Sequence, residues 1–366
     1  MTDIATELPV PVQRPPTHSS GALGWLRANL FNTVANSIVT LLCAGLLALV
    51  IPPVIRWGLV DAIWTAPNGT ACRGAGACWA FIGEKFRFIL FGFFPAAEVW
   101  RPVVVVILFL LMILVACDRR SWGRLLMLLW AVGLAAVLML MHGGVFGLGT
   151  VETRLWSGLP LTLILAVIGM VLGFPLGVLL ALGRRSNLPA VRAICVGYIE
   201  LVRGVPLITV LFMASLMLPL FLPSGMTIDK LLRAQIAFIL FAAAYLAEVV
   251  RGGLQAVPKG QVEAADSLGL SYWQRTRLII LPQALSMVIP PLVNTFIGIF
   301  KDTALVTIIS LFDLLGTVDA ALTDPNWQGF YVEAYVVVAA IYWSFCFFMS
   351  RYSQVLEREF NRGRRR

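Results

Sequence analysis

Long apolar runs separated by short polar segments dominate this chain. At about 20 residues per bilayer crossing, the runs near 30–52, 101–117, 124–142, 159–183, 195–222, 234–251, 285–316 and 331–350 read as eight transmembrane helices, the seventh expected to be broken. Pro52 and Pro53 are expected to close the first span. The run Phe86–Phe94 is short, is followed by proline and is interrupted by Arg87, so it is expected to lie at the interface. Residues 1–29 are Pro-rich and read as a disordered tail, and the first apolar run is too long, and lacks a following cleavage site, to be a cleaved signal.

Between the sixth and seventh runs lies a polar insert of about 30 residues, where a few would turn the chain round. Within Gln261-Val-Glu-Ala-Ala-Asp-Ser-Leu-Gly269, Glu263, Ala264 and Ala265 favour helix, and Gly269 suits the left-handed position after a helix end. Ser271 and Gln274 fit a capping box for a second helix, which Pro282 is expected to limit. Two readings stay open: an amphipathic helix lying on the membrane, or a docking helix for a soluble partner.

Composition agrees with the apolar runs. The chain is 59% hydrophobic and 13% charged, against about 25% charged in average soluble domains, so it cannot cover a water-soluble surface. The basic residues set an orientation. With the N-terminus in the cytoplasm, Arg119, Arg120, Arg184, Arg185, Arg192 and the Arg362–Arg366 tail all fall inside, as do the C-terminus and the 257–284 loop. Topology and anionic lipid account for the net charge of +9, and nothing resembles a nucleic-acid module. Cys43, Cys117, Cys195 and Cys346 read as small apolar residues in or beside spans. Cys72 and Cys78 lie in the expected outside loop, where an oxidising compartment permits a disulfide. His18 and His142 are the only histidines and neither is near that pair, so a metal site is not expected.

The insert and three further blocks carry a family resemblance. Glu263-Ala-Ala, Gly269 and Ile280-Leu-Pro282, with Tyr198-Ile-Glu-Leu-Val-Arg-Gly-Val-Pro-Leu207, Ala247-Glu-Val-Val-Arg-Gly-Gly253 and Lys301-Asp-Thr-Ala-Leu305, resemble the membrane subunits of binding-protein-dependent ABC importers of the polar amino acid type. The likeness spans about residues 155–356, and Ala304 departs from the serine usual there. It implies an all-α integral membrane protein whose C-terminal five helices form a type I importer permease core. The organisation expected is a tail (1–29), a three-helix extension with a periplasmic loop (30–150), the core (151–356) with coupling loop 257–284, and a basic cytoplasmic tail (357–366). The extension is similar to that of certain broad-specificity or acidic-amino-acid permeases. The implied partners are a second permease subunit, two ABC ATPase subunits, a periplasmic solute-binding protein, an amino acid substrate and membrane lipid. The implied activity is ATP-driven amino acid import by alternating access across the bacterial inner membrane.

The residues themselves contain no ATPase. A phosphate-binding loop needs Gly-Lys-Ser/Thr, and none of the four lysines, Lys85, Lys230, Lys259 and Lys301, stands in that setting. The chain is therefore read as no enzyme, with no cofactor and no catalytic residue. In the insert, Glu263 can meet a basic partner side chain from a helix N-terminus. Tyr272 and Trp273 read either as interface anchors or as a membrane-interface belt. Glu200 with Arg203 and Glu248 with Arg251 are spaced i,i+3 and are expected to pair locally, as structural pairs or an inner gate. Lys301 and Asp302 are adjacent and cannot simply neutralise each other on a helix, so Lys301, Asp302 and Thr303 are the candidates for the substrate pathway. Gly169, Gly173, Gly177 and Ala181 form a small-residue groove, favoured as packing within the subunit over a permease interface or path, and Pro175 within it is expected to kink the helix. The alternative from another class is an ion-coupled secondary amino acid transporter using Glu248 and Asp302. A structural or channel-like subunit would explain the spans but not the insert.

Overall fold

A computed structural model describes residues 21–223 and 225–364. His18, Ser224, Arg365 and Arg366 are outside this range, with the first 20 residues. Fifteen α-helices follow one another among the described residues: α1 (Ala22–Asn29), α2 (Val34–Ile55), α3 (Trp79–Phe91), α4 (Trp100–Cys117), α5 (Arg124–His142), α6 (Gly158–Arg184), α7 (Pro189–Gly204), α8 (Leu207–Phe212), α9 (Lys230–Ala256), α10 (Lys259–Ser267), α11 (Tyr272–Arg275), α12 (Leu281–Met287), α13 (Ile289–Asp302), α14 (Leu314–Ala321) and α15 (Tyr331–Arg364). Among the described residues, seven helical spans are long and apolar enough to cross a membrane, and eight if the bent pair 189–204 and 207–221 counts as one. The fold is an all-α membrane protein.

Several sequence expectations need correction. Residues 22–29 are helical, not disordered, and α15 carries helix into the stretch expected as a basic tail. Pro52 and Pro53 do not close the first span: α2 runs through them into a π-helical turn over Arg56–Val60. The Arg56 N–H reaches the Pro52 and Pro53 carbonyls, so the helix continues beyond the prolines. The fifth span starts at Pro189, a first-turn proline, and bends by 102° after Gly204. There Pro206 holds Val205 extended, at φ −110° and ψ 133°. Pro175 sits inside α6, which continues unbroken to Arg184. The seventh span is broken as expected: α13 gives way to a 3₁₀ segment over Thr303–Ile309.

The chain divides into two units, and the division does not fall at residue 150. One unit ends at Trp64 and includes Cys72–Cys78. In it Cys72 and Cys78 form a disulfide. The loop they close folds over the end of the first span, with the Ala77 N–H on the Trp57 carbonyl (2.7 Å) and the Gly76 N–H on the Asp61 carbonyl (2.9 Å). The second unit holds Thr65–Ala71 and Trp79–Arg366, so α3, α4 and α5 fall in the same compact unit as the permease core.

Within that second unit, α6 and α9 form the central pair. Gly173 and Gly177 let the helices meet: a Cβ would lie 3.0 Å from the Ala242 Cβ at the first and 2.9 Å from the Leu246 Cβ at the second. The small-residue groove therefore packs inside the subunit. The segment expected to be interfacial is instead α3, docked on α14 and on the start of α6. Phe81 is buried between Trp327 and Phe330, at centroid distances of 6.1 and 6.0 Å. Lys85 pairs with Asp324, and the Thr317 hydroxyl donates to the Ile89 carbonyl (2.7 Å). Phe81, Lys85 and Ile89 recur every four residues, so one face of α3 makes all these contacts.

Candidate functional site

The polar insert folds as its residues direct. Helix α10 ends in a Schellman motif: the Leu270 N–H bonds the Ala265 carbonyl (3.3 Å) and the Gly269 N–H bonds that of Asp266 (3.0 Å). Gly269 supplies the left-handed φ of +69° that this ending needs. Ser271 and Gln274 then form the expected capping box for α11. Pro282 does not limit that helix. A π-helical turn over Thr276–Ile280 leads into α12, where Pro282 sits in the first turn and needs no donor.

Packing divides the insert into two faces. Ala265, Ile280 and Ala284 are buried, the last two in one apolar cluster with Ala181, Ile199, Ala247 and Val250. Gly253 of α9 is the closest approach, since a Cβ there would lie 2.6 Å from the Ala284 carbonyl oxygen. Glu263, Ala264, Tyr272 and Trp273 point outward, Trp273 being 67% exposed. Arg275 ties the two short helices together, pairing with Asp266 and lying over the Tyr272 ring at 5.7 Å. A cleft of about 630 Å³ separates Tyr272, Trp273 and Arg275 from the α6–α7 turn at Arg185–Leu188.

One and a half turns before Gly253, α9 carries Glu248 into a cluster of guanidinium groups. Its Oε1 accepts from Arg251, as the i,i+3 spacing predicts. Its Oε2 lies 3.4 Å from Arg184 and 3.6 Å from Arg203. The expected Glu200–Arg203 pair does not form; Glu200 meets Arg184 at 2.8 Å and Arg203 turns to Glu248. The bend at Pro206 ends α7 beside α9, and cross-helix partners replace the local one. Arg184, read from sequence only as a topology marker, therefore joins α6, α7 and α9. Glu248 is 79% covered and neutralises parts of three cations, while Glu200 is 57% exposed.

The triplet Lys301-Asp302-Thr303 lies at the junction of α13 with the 3₁₀ segment. Thr303 is fully buried and donates to the Phe300 carbonyl (2.8 Å). Asp302 is half-buried and Lys301 exposed.

Two polar residues that sequence reading passed over hold the frame. Asp313 is fully buried and caps α14, accepting from the Gly316 N–H (2.9 Å), the Thr307 hydroxyl (3.1 Å) and the Tyr342 hydroxyl (2.8 Å). An aspartate just before Leu314-Leu-Gly is an N-cap signal that could have found it. Arg101, also fully buried, pairs with Glu98 and donates to the carbonyls of Leu140 and Gly149. It thereby satisfies the carbonyl-rich end of α5 from the start of α4. A cation at a helix N-terminus, against its dipole, was the available sign.

The comparisons agree with this geometry. Residues 173–362 match the family described as "Binding-protein-dependent transport system inner membrane component". The chain is 52% identical over 359 residues, 96% of either chain, to the inner membrane amino-acid ABC transporter permease protein YhdY of Escherichia coli. It is 41% identical, over 99% of either chain, to the glutamate/glutamine/aspartate/asparagine transport system permease protein BztC of Rhodobacter capsulatus. The solved structure of an amino acid ABC transporter with histidines matches at 34% identity and a TM-score of 0.50, over 55% of this chain and 92% of that one. The family sets aside the ion-coupled alternative. This chain belongs to the permease subunits of binding-protein-dependent amino acid ABC importers, multi-pass inner-membrane transport components, not enzymes, that work with an ATPase and a solute-binding protein.

Proposed function

We propose that the 257–284 insert receives the ATPase subunit and passes its movement to the Glu248 cluster through α9. The contact of Gly253 with the Ala284 carbonyl carries this reading. A packed interior transmits displacement instead of absorbing it. A push on α10 and α11 moves α12, α12 bears on Gly253, and Glu248 and Arg251 lie within two turns of that point. The cluster then serves as the inner gate, with Glu248 releasing or regaining its arginines as α6, α7 and α9 rock. Glu263, Ala264, Tyr272 and Trp273 form the docking face, and Ala265, Gly269 and Pro282 shape it.

The working assembly is two permease cores, identical or homologous, with two ATPase subunits and one external binding protein. Both termini and the insert face the cytoplasm, where ATP is, and Cys72 and Cys78 face outward. Lys301 and Asp302 line the pathway, where water and the charged ends of an amino acid offset the cost of charge within a span, and Thr303 positions them. The substrates are acidic amino acids and their amides, a reading supported by the likeness to BztC along the whole chain.

ATP-driven uptake by proteoliposomes containing the full complex tests both parts. Unlabelled glutamate, glutamine, aspartate and asparagine should compete, and arginine and leucine should not. Uptake without ATP dependence would overturn the coupling reading. Competition by leucine alone would overturn the substrate reading. For orientation, a membrane-impermeant thiol reagent should label Cys72 and Cys78 of intact cells after reduction. Labelling from the cytoplasmic face alone would reverse the topology.

A further inference from the structure

The seam between α4–α5 and the permease core contains an apolar groove of about 440 Å³. Leu110 and Leu114 of α4, Trp130 of α5, Val171 of α6 and Phe345 and Phe348 of α15 line it, with almost no polar surface. An apolar groove between membrane-spanning helices suits a hydrocarbon chain. Its second feature selects which one. Phe348 also lines an adjoining hollow of about 250 Å³ whose other walls include Arg351, Gln354 and Arg358.

Helical spacing explains the continuity. Ser344, Phe348, Arg351, Val355 and Arg358 follow one another at intervals of four and three, one stripe along α15 that changes from apolar to cationic. At about 1.5 Å per residue, Arg351 lies roughly 10 Å and Arg358 roughly 20 Å beyond Ser344. Ser344 lies at the middle of the Tyr331–Phe360 span and a single leaflet has a hydrocarbon depth of about 15 Å, so the two arginines bracket the level of the headgroup phosphates, and their long side chains reach it. The Tyr352 hydroxyl donates to the Cys117 carbonyl (3.2 Å), which holds this end of α15 against the end of α4, beside the basic turn with Arg120 and Arg124. Arg351 and Arg358 are exposed and form no ion pair with an acidic side chain among the described residues.

We infer that this seam is a binding site for one anionic phospholipid, with an acyl chain in the groove and the phosphate on Arg351 and Arg358. The lipid fills the joint between the extension and the core, sealing α4 and α5 to α6 and α15 in the leaflet that bears the basic residues. The placement of that leaflet in the cytoplasmic half rests on the orientation proposed above. The lipid test does not depend on orientation, which thiol labelling reads separately.

The test uses the intact importer complex in nanodiscs of equal phosphatidylglycerol and phosphatidylethanolamine, with retained lipid counted by native mass spectrometry. Wild type should keep phosphatidylglycerol in preference. Replacing both arginines by glutamine should cut that retention roughly tenfold or more, and replacing both by lysine should restore most of it. Val171→Trp, which fills the groove from the α6 side, should lower retention of the lipid while leaving the arginines in place. Equal retention of the two lipids by wild type, or unchanged retention in the glutamine variant, would overturn the site. So would crosslinking from Leu114→Cys to a protein partner instead of lipid.

Discussion

Gly158, the first residue of α6, lies against the carbonyl oxygen of Leu90 in α3, so close that a Cβ there would be 2.1 Å from it. Its φ of +71° already excludes most side chains. The same turn carries Ser157, whose hydroxyl accepts from the Phe93 N–H (2.8 Å) and donates to the Phe91 carbonyl (3.1 Å). Helix α3 and the start of α6 thus meet at their backbones. Gly158→Ala should destabilise the subunit by at least about 2 kcal/mol, from left-handed strain and the forced shift of α3. Yield and melting temperature of the purified complex should both fall. A variant as stable as wild type would mean that α3 is loosely held.

The shared carboxylate makes Glu248 and Glu200 unequal. Removing one partner of a buried ion pair costs about 3–5 kcal/mol, reduced here because Glu248 retains 21% exposure. Exposed pairs contribute about 0–1 kcal/mol. Glu248→Gln should therefore lower the melting temperature several times more than Glu200→Gln, and it should alter transport coupling as well. Equal, small effects would show that Arg184 and Arg203 find other partners.

Docking should fail without loss of fold when the outward face of the insert is changed. Glu263→Lys preserves helix propensity and reverses one charge, and Trp273→Ala removes an exposed aromatic. Both variants should insert normally and copurify less ATPase. Gly269→Ala keeps the face but imposes about 1–2 kcal/mol of left-handed strain on the turn between α10 and α11, so it should uncouple hydrolysis from uptake more than it weakens binding. Normal ATP-coupled uptake in all three variants would end the coupling assignment.

Acid should loosen the seat of α3 through one pair. Lys85 beside Asp324 holds that carboxyl below the usual carboxylate range, helped by the Asn326 N–H. A depressed folded-state pKa gives stability that is present above the unfolded value and lost as pH falls through the folded one. The contact of α3 with the loop after α14 should therefore weaken only on acidification, below the ordinary aspartate range. Hydrogen exchange over residues 79–91 should rise at low pH in wild type and show less pH dependence in Asp324→Asn.

Asp302→Asn separates pathway from packing. If the carboxylate faces the translocation route, uptake should drop while complex yield stays at the wild-type level, and Lys301→Met should behave similarly. Loss of assembly in both would assign the pair to packing. Unchanged uptake and unchanged yield would remove both residues from the pathway.

The number and order of the spans were legible in the sequence because lipid imposes a simple rule: a crossing helix must be long, apolar and hydrogen-bonded within itself. The insert was equally legible, since Gly269, Ser271 and Gln274 act on their own backbone within a few residues. Tertiary structure decided what depended on residues distant in the chain. Glu200 and Arg203 had the spacing to pair, but the bend after Gly204 and the approach of α6 and α9 offered both stronger partners, because a charge in low dielectric settles where several opposite charges converge. Helix α3 has the composition of an interfacial segment, and only α14 and the segment after it, more than two hundred residues later, cover its Phe81–Lys85–Ile89 face. Arg101 shows the same limit. Its carbonyl partners are Leu140, in the last turn of α5, and Gly149, in the loop after it, and local spacing carries no information about where that end will lie.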